Sequence, residues 1–279
     1  GIELARLASS NPESHDLVGE DCVVTEDWRA VAIADDLDGV IIATPPALHA
    51  EMAITAIAAN KPVLVEKPLT LDVDEAENLL RIATAEKAIV HVDHVHLYHP
   101  AYRELKRLGS GMGPVRAIRG CAGAWGPFRD DTSLLWDWGA HDVAMALDLL
   151  ESRPETVSAQ RKERRETPEG VGESIALQLT FPGNVTVDIE ISNLLDKKQR
   201  LLEVHFDCDI LIYDGVGSDA LVRQSGPDER ANIDVPDILP LDQAVMDFVQ
   251  AIDHGEADVI GLKLGVDVVK VLKACEEAL

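Results

Sequence analysis

The sequence predicts an α/β protein: a doubly wound parallel sheet followed by an α+β domain with a largely antiparallel open sheet. Three observations predict it. Over residues 2–68 short β-like runs alternate with helical ones, the rhythm of βαβ units around a parallel sheet. The run Gly39-Val40-Ile41-Ile42-Ala43 is apolar on both faces, as suits a strand covered by helices on both sides. Beyond residue 98 alternating runs are punctuated by Pro182-Gly183-Asn184 and Asp214-Gly215, which are hairpin breaks. The predicted domains are residues 1–98 and 99–279.

In chain order, strands are expected at residues 2–8, 22–25, 40–43 and 62–65, separated by helices at 28–37 and 48–59. A helix over 72–86 leads into a strand over 88–92 and extends the same winding. The second domain opens with a helix near 100–108, a strand near 115–122 and a helix near 140–150. Strands follow at 157–160, 174–180, 185–191, 201–206, 210–213 and 220–223. Two helices with apolar residues at helical spacing, 241–253 and 262–277, close the chain.

Composition narrows the function classes. The 279 residues are 46% hydrophobic and 27% charged, with no low-complexity tract and no apolar run long enough to span a bilayer. Fifty acidic against 25 basic residues give a net charge of −25, which repels nucleic acid and anionic membrane surfaces. Neither is an expected partner. Cys22, Cys121, Cys208 and Cys275 are far apart and form no CxxC pair, the pattern of reduced thiols in a cytoplasm. His91, His94, His96 and His99 suggest a metal centre, but no carboxylate-spaced partner set completes one; no metal is expected, and the segment reads as cleft lining. Gly109-Ser110-Gly111-Met112-Gly113 and Gly215-Val216-Gly217 lack the strand–glycines–helix order of a phosphate loop and read as turns. Arg161-Lys162-Glu163-Arg164-Arg165 reads as a solvated hairpin end.

Two segments carry chemistry. Ala43-Thr44-Pro45-Pro46-Ala47-Leu48-His49 follows the central strand and opens a helix, and Val63-Leu64-Val65-Glu66-Lys67-Pro68-Leu69 ends the next strand. Both then lie at the carboxyl edge of the sheet, where doubly wound folds bind ligands. Asp137-Trp138-Gly139-Ala140-His141 sits around a helix start, so a carboxylate and an imidazole four residues apart can share one side of a cleft. The helix N-terminus disfavours an imidazolium there, which leaves His141 neutral and able to accept a proton. An exposed lysine, a capping aspartate and a core histidine would explain each residue singly; their meeting in one expected cleft is what favours function.

The strand-end Glu66-Lys67-Pro68 after the Ala43-Thr44-Pro45…His49 turn resembles the Gfo/Idh/MocA family, relatives of glucose-fructose oxidoreductase and inositol dehydrogenase. The similarity runs over essentially the whole chain. Asp137…Gly139…His141 is similar to that family's Asp-x-Gly-x-His signature, although Ala144 stands where the family usually has an acidic residue. The resemblance implies a Rossmann-like first domain and an NAD(P)-dependent dehydrogenase acting on a carbinol of a sugar, sugar nucleotide or cyclitol. It implies that His141 takes the proton, Lys67 hydrogen-bonds the reacting oxygen and Asp137 orients substrate or base. Thr44, Pro45, His49, Glu66 and Lys67 would surround the nicotinamide and its ribose. Ser9 and Ser10 stand where NAD-preferring relatives carry an acidic residue, so NADP fits as well as NAD. Tyr98 and Trp125 join Lys67, Asp137 and His141 as expected substrate contacts. Arg129, Asp130 and Tyr102 are further candidates, and Trp136 and Trp138 suit a cleft wall and the core equally. A homodimer or homotetramer through the second sheet is implied, as in the family.

The family begins with a strand, a GxGxxG turn and a helix, whereas Gly1-Ile2-Glu3-Leu4 matches its second strand. The expectation is a fragment lacking the first βα unit, with an empty slot between strands 2–8 and 40–43, that alone binds dinucleotide poorly and is inactive. A non-catalytic relative that binds a carbohydrate or a protein partner stays open as the alternative. So does a relative that uses the redox step for elimination or glycoside cleavage.

Overall fold

The structure is a computed structural model and describes residues 1–227, 229–257 and 259–279. Strands β1 (Arg6–Ala8) and β2 (Val23–Thr25) pair in parallel. β3 (Val40–Ile42), β4 (Val63–Glu66) and β5 (Val90–Asp93) form a second parallel ladder in that order. Among the described residues no ladder joins β1 to β3, the discontinuity expected from the sequence. β3 is therefore an edge strand of its ladder, and its Ile41 is 54% exposed.

The connecting helices are α1 (Trp28–Ala32), α2 (His49–Ala58) and α3 (Val73–Glu86). Asp27 and Asp72 cap α1 and α3 by accepting from backbone N–H groups in the first turn. Two elements are shorter than the sequence suggests. β1 spans three residues instead of seven, because β2 offers only three partners and the other edge has none. α1 stops at Ala32 rather than residue 37; Asp35 and Asp36 would place negative charge on its carboxyl end, and Asp36 pairs with Arg6 of β1 instead, at 2.8 Å.

After a 3-10 turn at Val95–Tyr98 comes α4 (Pro100–Gly109), and a π-helical turn at Leu135–Gly139 runs directly into α5 (Ala140–Leu150). The large sheet contains β6 (Ala117–Trp125), β7 (Thr156–Thr167), β8 (Gly170–Phe181), β9 (Val185–Ser192), β10 (Leu194–His205), β11 (Ile210–Asp214), β12 (Leu221–Gln224) and β13 (Arg230–Asn232). Their order is β13-β12-β11-β10-β6-β9-β8-β7, and only β6 and β9 pair in parallel. One face buries Ile118, Leu177, Ile189, Leu202 and Tyr213, while Arg119, Gln178 and Glu190 alternate onto the open face. The basic run 161–165 is exposed on β7, in the part of the strand that leads into the β7–β8 turn. β7 is an edge strand, where charge blocks further pairing. Finally α6 (Pro240–His254) packs on β5 and the Val95–Tyr98 turn. α7 (Val259–Ala278) straps the halves together by touching α3, β5, α5 and β7.

Candidate active site

Pro68 ends β4: it has no N–H for the ladder and keeps the preceding residue extended. Lys67 is thereby released at the carboxyl edge of the sheet. Its Nζ donates to Asp137 Oδ1 at 2.7 Å and to the Asp137 carbonyl at 2.8 Å. The partners' side chains are only 14% and 17% exposed, so the pair is shielded from most screening. Arg129 Nε donates to the other carboxylate oxygen at 3.3 Å. An ammonium has three N–H donors, and Asp137 occupies two, leaving one for a ligand oxygen.

His141, the second residue of α5, completes the cluster. Burial first, then the Lys67 and Arg200 cations, hold its imidazolium well below the usual histidine range. It is therefore a neutral acceptor at physiological pH. The cause differs from the expected one, since the helix continues through the π turn on its N-terminal side and burial replaces the helix end. His96 lies edge-on to His141 with ring centroids 4.8 Å apart. Beneath them Asp142 and Arg200 form a buried ion pair at 2.6 Å, and the Arg200 guanidinium sits 5.2 Å from the Trp138 ring. Burial outweighs that bridge and raises the Asp142 carboxyl.

The cofactor candidates separate. Thr44 and Glu66 are half-buried and Pro45 exposed along the carboxyl edges of β3 and β4. His49, however, is fully buried, with Nδ1 2.9 Å from the Pro68 carbonyl and Nε2 2.8 Å from that of Thr44. The ring is thus held between the turn after β3 and the segment after Lys67, and a neutral imidazole, with a single N–H, donates to one of these two carbonyls. Ser9 is similarly engaged, for its hydroxyl accepts from the Asn11 N–H at 3.1 Å and from the Ser14 hydroxyl at 2.6 Å. Ser10 is exposed beside it.

The substrate candidates also divide. A cleft of about 210 Å³ is lined by Asp137 and Trp138 together with Arg129, Ser133, Arg164 and Asn193. Trp125 stands apart: it is 44% exposed, donates from Nε1 to Glu169 in the β7–β8 turn and packs on Phe128. Trp136 is core, donating to Glu276 of α7. Tyr102 is likewise core, its hydroxyl 2.7 Å from Asp148 Oδ2. Tyr98 is half-buried under the Arg103 guanidinium, 5.3 Å from its ring. Among the described residues no group of three His, Cys, Asp or Glu side chains could hold a metal ion.

Sequence reasoning passed over Asp93. It faces Glu66 across the β4–β5 ladder and is 2% exposed. Burial, then the Glu66 charge, raise its carboxyl to about 7, while Lys67 pulls it down. A lone aspartate inside a histidine-rich run gives no local signal of this; only the strand register does.

Known proteins share this architecture. Residues 1–94 match the family model described as oxidoreductase family, NAD-binding Rossmann fold, and residues 110–209 match the GFO/IDH/MocA C-terminal domain. A solved candidate oxidoreductase from Magnetospirillum magnetotacticum MS-1 is 42% identical, covering 99% of this chain and 92% of that one with a TM-score of 0.92. The UDP-N-acetylglucosamine 3-dehydrogenase of Acidithiobacillus ferrooxidans is 31% identical over 46% of this chain and 41% of its own. The inositol 2-dehydrogenase of Mycolicibacterium smegmatis is 31% identical over 57% and 48%. The chain thus spans about half the length of the curated relatives it matches. By sequence, by fold and by the Glu66-Lys67-Pro68 and Asp137…His141 motifs, the chain belongs to the Gfo/Idh/MocA family of oxidoreductases.

Proposed function

We propose that this protein moves a hydride between a nicotinamide cofactor, NAD or NADP, and a secondary carbinol of a sugar, sugar nucleotide or cyclitol. The observation that carries the reading is the shielded Lys67–Asp137 pair beside a neutral His141 at the sheet's carboxyl edge. His141 accepts the hydroxyl proton. Lys67, aimed by Asp137, gives its remaining N–H to the reacting oxygen and stabilises alkoxide character. Asp137 therefore orients the lysine, a narrower role than orienting substrate or base. The bound nicotinamide supplies the hydride acceptor.

Thr44, Pro45 and Glu66 suit the nicotinamide side of that cofactor, since they fringe the same strand ends as Lys67. No carboxylate occupies Ser9-Ser10-Asn11, which leaves room for a ribose 2′-hydroxyl or a 2′-phosphate. Residues 1–279 contain no strand–GxGxxG–helix segment for the pyrophosphate. The open face of the large sheet suits a homodimer or homotetramer. The four unbridged cysteines agree with a cytoplasmic setting, and no helix among the described residues is long and apolar enough to cross a membrane.

The test is cofactor reduction with a panel of sugars, sugar nucleotides and cyclitols. Lys67→Ala should lower kcat about 100-fold or more, the scale of losing one preorganised donor to a developing oxyanion, with an unchanged circular dichroism spectrum. Turnover equal to that of the unaltered protein would overturn the reading.

A further inference from the structure

The junction between the two halves places a second imidazole beside His141. His96, on the Val95–Tyr98 turn, stacks edge-on against His141, and its Nδ1 lies 2.8 Å from the hydroxyl of Tyr213 on β11. Tyr213 is fully buried, packed also against the rings of His99 and Tyr102, and His96 Nδ1 is the partner its hydroxyl has among the described residues. A buried phenol needs an acceptor for its proton, and burial keeps this one protonated by pushing its pKa up. His96 is in turn kept neutral, by burial and then by the Arg200 cation, neighbouring His99 and the Lys198 and Lys67 cations. A neutral imidazole carries one donor and one acceptor. With Nδ1 accepting from Tyr213, Nε2 must carry the proton.

We propose that Tyr213 locks His96 as a hydrogen-bond donor next to the acceptor His141, so that the pair recognises a vicinal diol. His141 would receive the proton of the carbinol that is oxidised, and His96 would donate to the oxygen on the adjacent carbon. This rests on the dehydrogenase reading above and narrows it: the substrate needs a hydroxyl beside the reacting carbon. A ring carrying neighbouring secondary hydroxyls meets that requirement. A carbinol flanked by a methylene does not. His96 is then a specificity residue and Tyr213 a positioning residue acting through it.

The experiment is a cycle between protein and substrate. Rates for an accepted diol and for its vicinal deoxy analogue are measured with the unaltered protein and with Tyr213→Phe. The diol should lose about 10-fold in kcat/KM on Tyr213→Phe, the scale of one net hydrogen bond, while the deoxy analogue changes less than about two-fold because the bond is already missing. Equal losses on both substrates would mean a merely structural role and overturn the proposal. Long-range nitrogen–proton NMR of His96 gives a second readout that needs no turnover. The Nε2–H tautomer is expected, and an Nδ1–H tautomer overturns the lock. Failure of the underlying reading looks different: Lys67→Ala would then retain turnover on both substrates whatever Tyr213→Phe does.

Discussion

At position 93 a carboxyl is buried across a parallel rung from Glu66 and beside Lys67. Its proton is held to about pH 7, against 3.8 for the ordinary side chain. As pH rises from about 4 to about 7, the unfolded chain therefore gives up a proton that the native chain retains, so native stability falls through that window and is greatest below it. Asp93→Asn keeps the shape and removes the ionisation. The variant should match the unaltered protein at pH 4 and melt higher at pH 8, by on the order of 2–4 °C for each kcal/mol recovered. Melting curves at the two pH values check this, and a lower Tm at pH 8 would show that the Asp93 carboxylate stabilises Lys67 on balance. Lys67, Asp137 and His141 were legible in the sequence because each lies in a short motif at a strand end or helix. Arg200 and Asp142, 58 residues apart, carry no such mark, nor does Tyr213, whereas His96 stood out only as part of a histidine-rich segment. His49 lies in a short motif too, and what the motif did not show is that its ring nitrogens face two backbone carbonyls.

Between elements, the closest approach that matters is β6 against β9, the parallel rung inside an otherwise antiparallel sheet. There Gly123 pairs with Ser192, and a Cβ at Gly123 would stand 2.1 Å from the Ser192 carbonyl oxygen and 2.9 Å from Leu195 Cδ1. Backbone cannot yield as a side-chain tip can, so Gly123→Ala should cost about 1–3 kcal/mol, the range for overpacking a filled site. Gly19→Ala, at a site with nothing within 4 Å of the added methyl, should stay within about 0.5 kcal/mol of the unaltered protein. Urea midpoints for the two variants measure the contrast; equal midpoints would mean that β6 and β9 separate at no cost. Element identities were largely legible, since period-two and period-3.6 patterns are local. Element ends were less so. β7 runs on to Thr167 through the charged run 161–165, because β8 supplies partners for all of its residues but Lys162, which the register skips, whereas β1 falls short because β2 supplies so few.

For the molecule as a whole, the order of strands beyond hairpin neighbours was not legible: no local pattern says that β6 lies between β9 and β10. Nor does any say that α7 straps α3, β5, α5 and β7 together. What composition does fix is the field. A net charge of −25 makes the compact state repel itself, while the same surface carries ion pairs such as Arg116–Asp207 and Arg223–Asp209 that salt would weaken. The two effects predict opposite salt responses, and magnitude decides between them. Exposed pairs are screened by solvent and many contribute nothing measurable, and the most shielded pairs, Arg200–Asp142 and Lys67–Asp137, are least reached by salt. The repulsion, by contrast, sums over all the unpaired acidic groups and is cut as the screening length falls from about 30 Å at 0.01 M to about 10 Å at 0.1 M. Stability should therefore rise with sodium chloride between about 0.01 and 0.1 M, read as an increase in Tm of a few degrees. A fall over the same range would mean that the local ion pairs, and not the net charge, dominate the electrostatics of the fold.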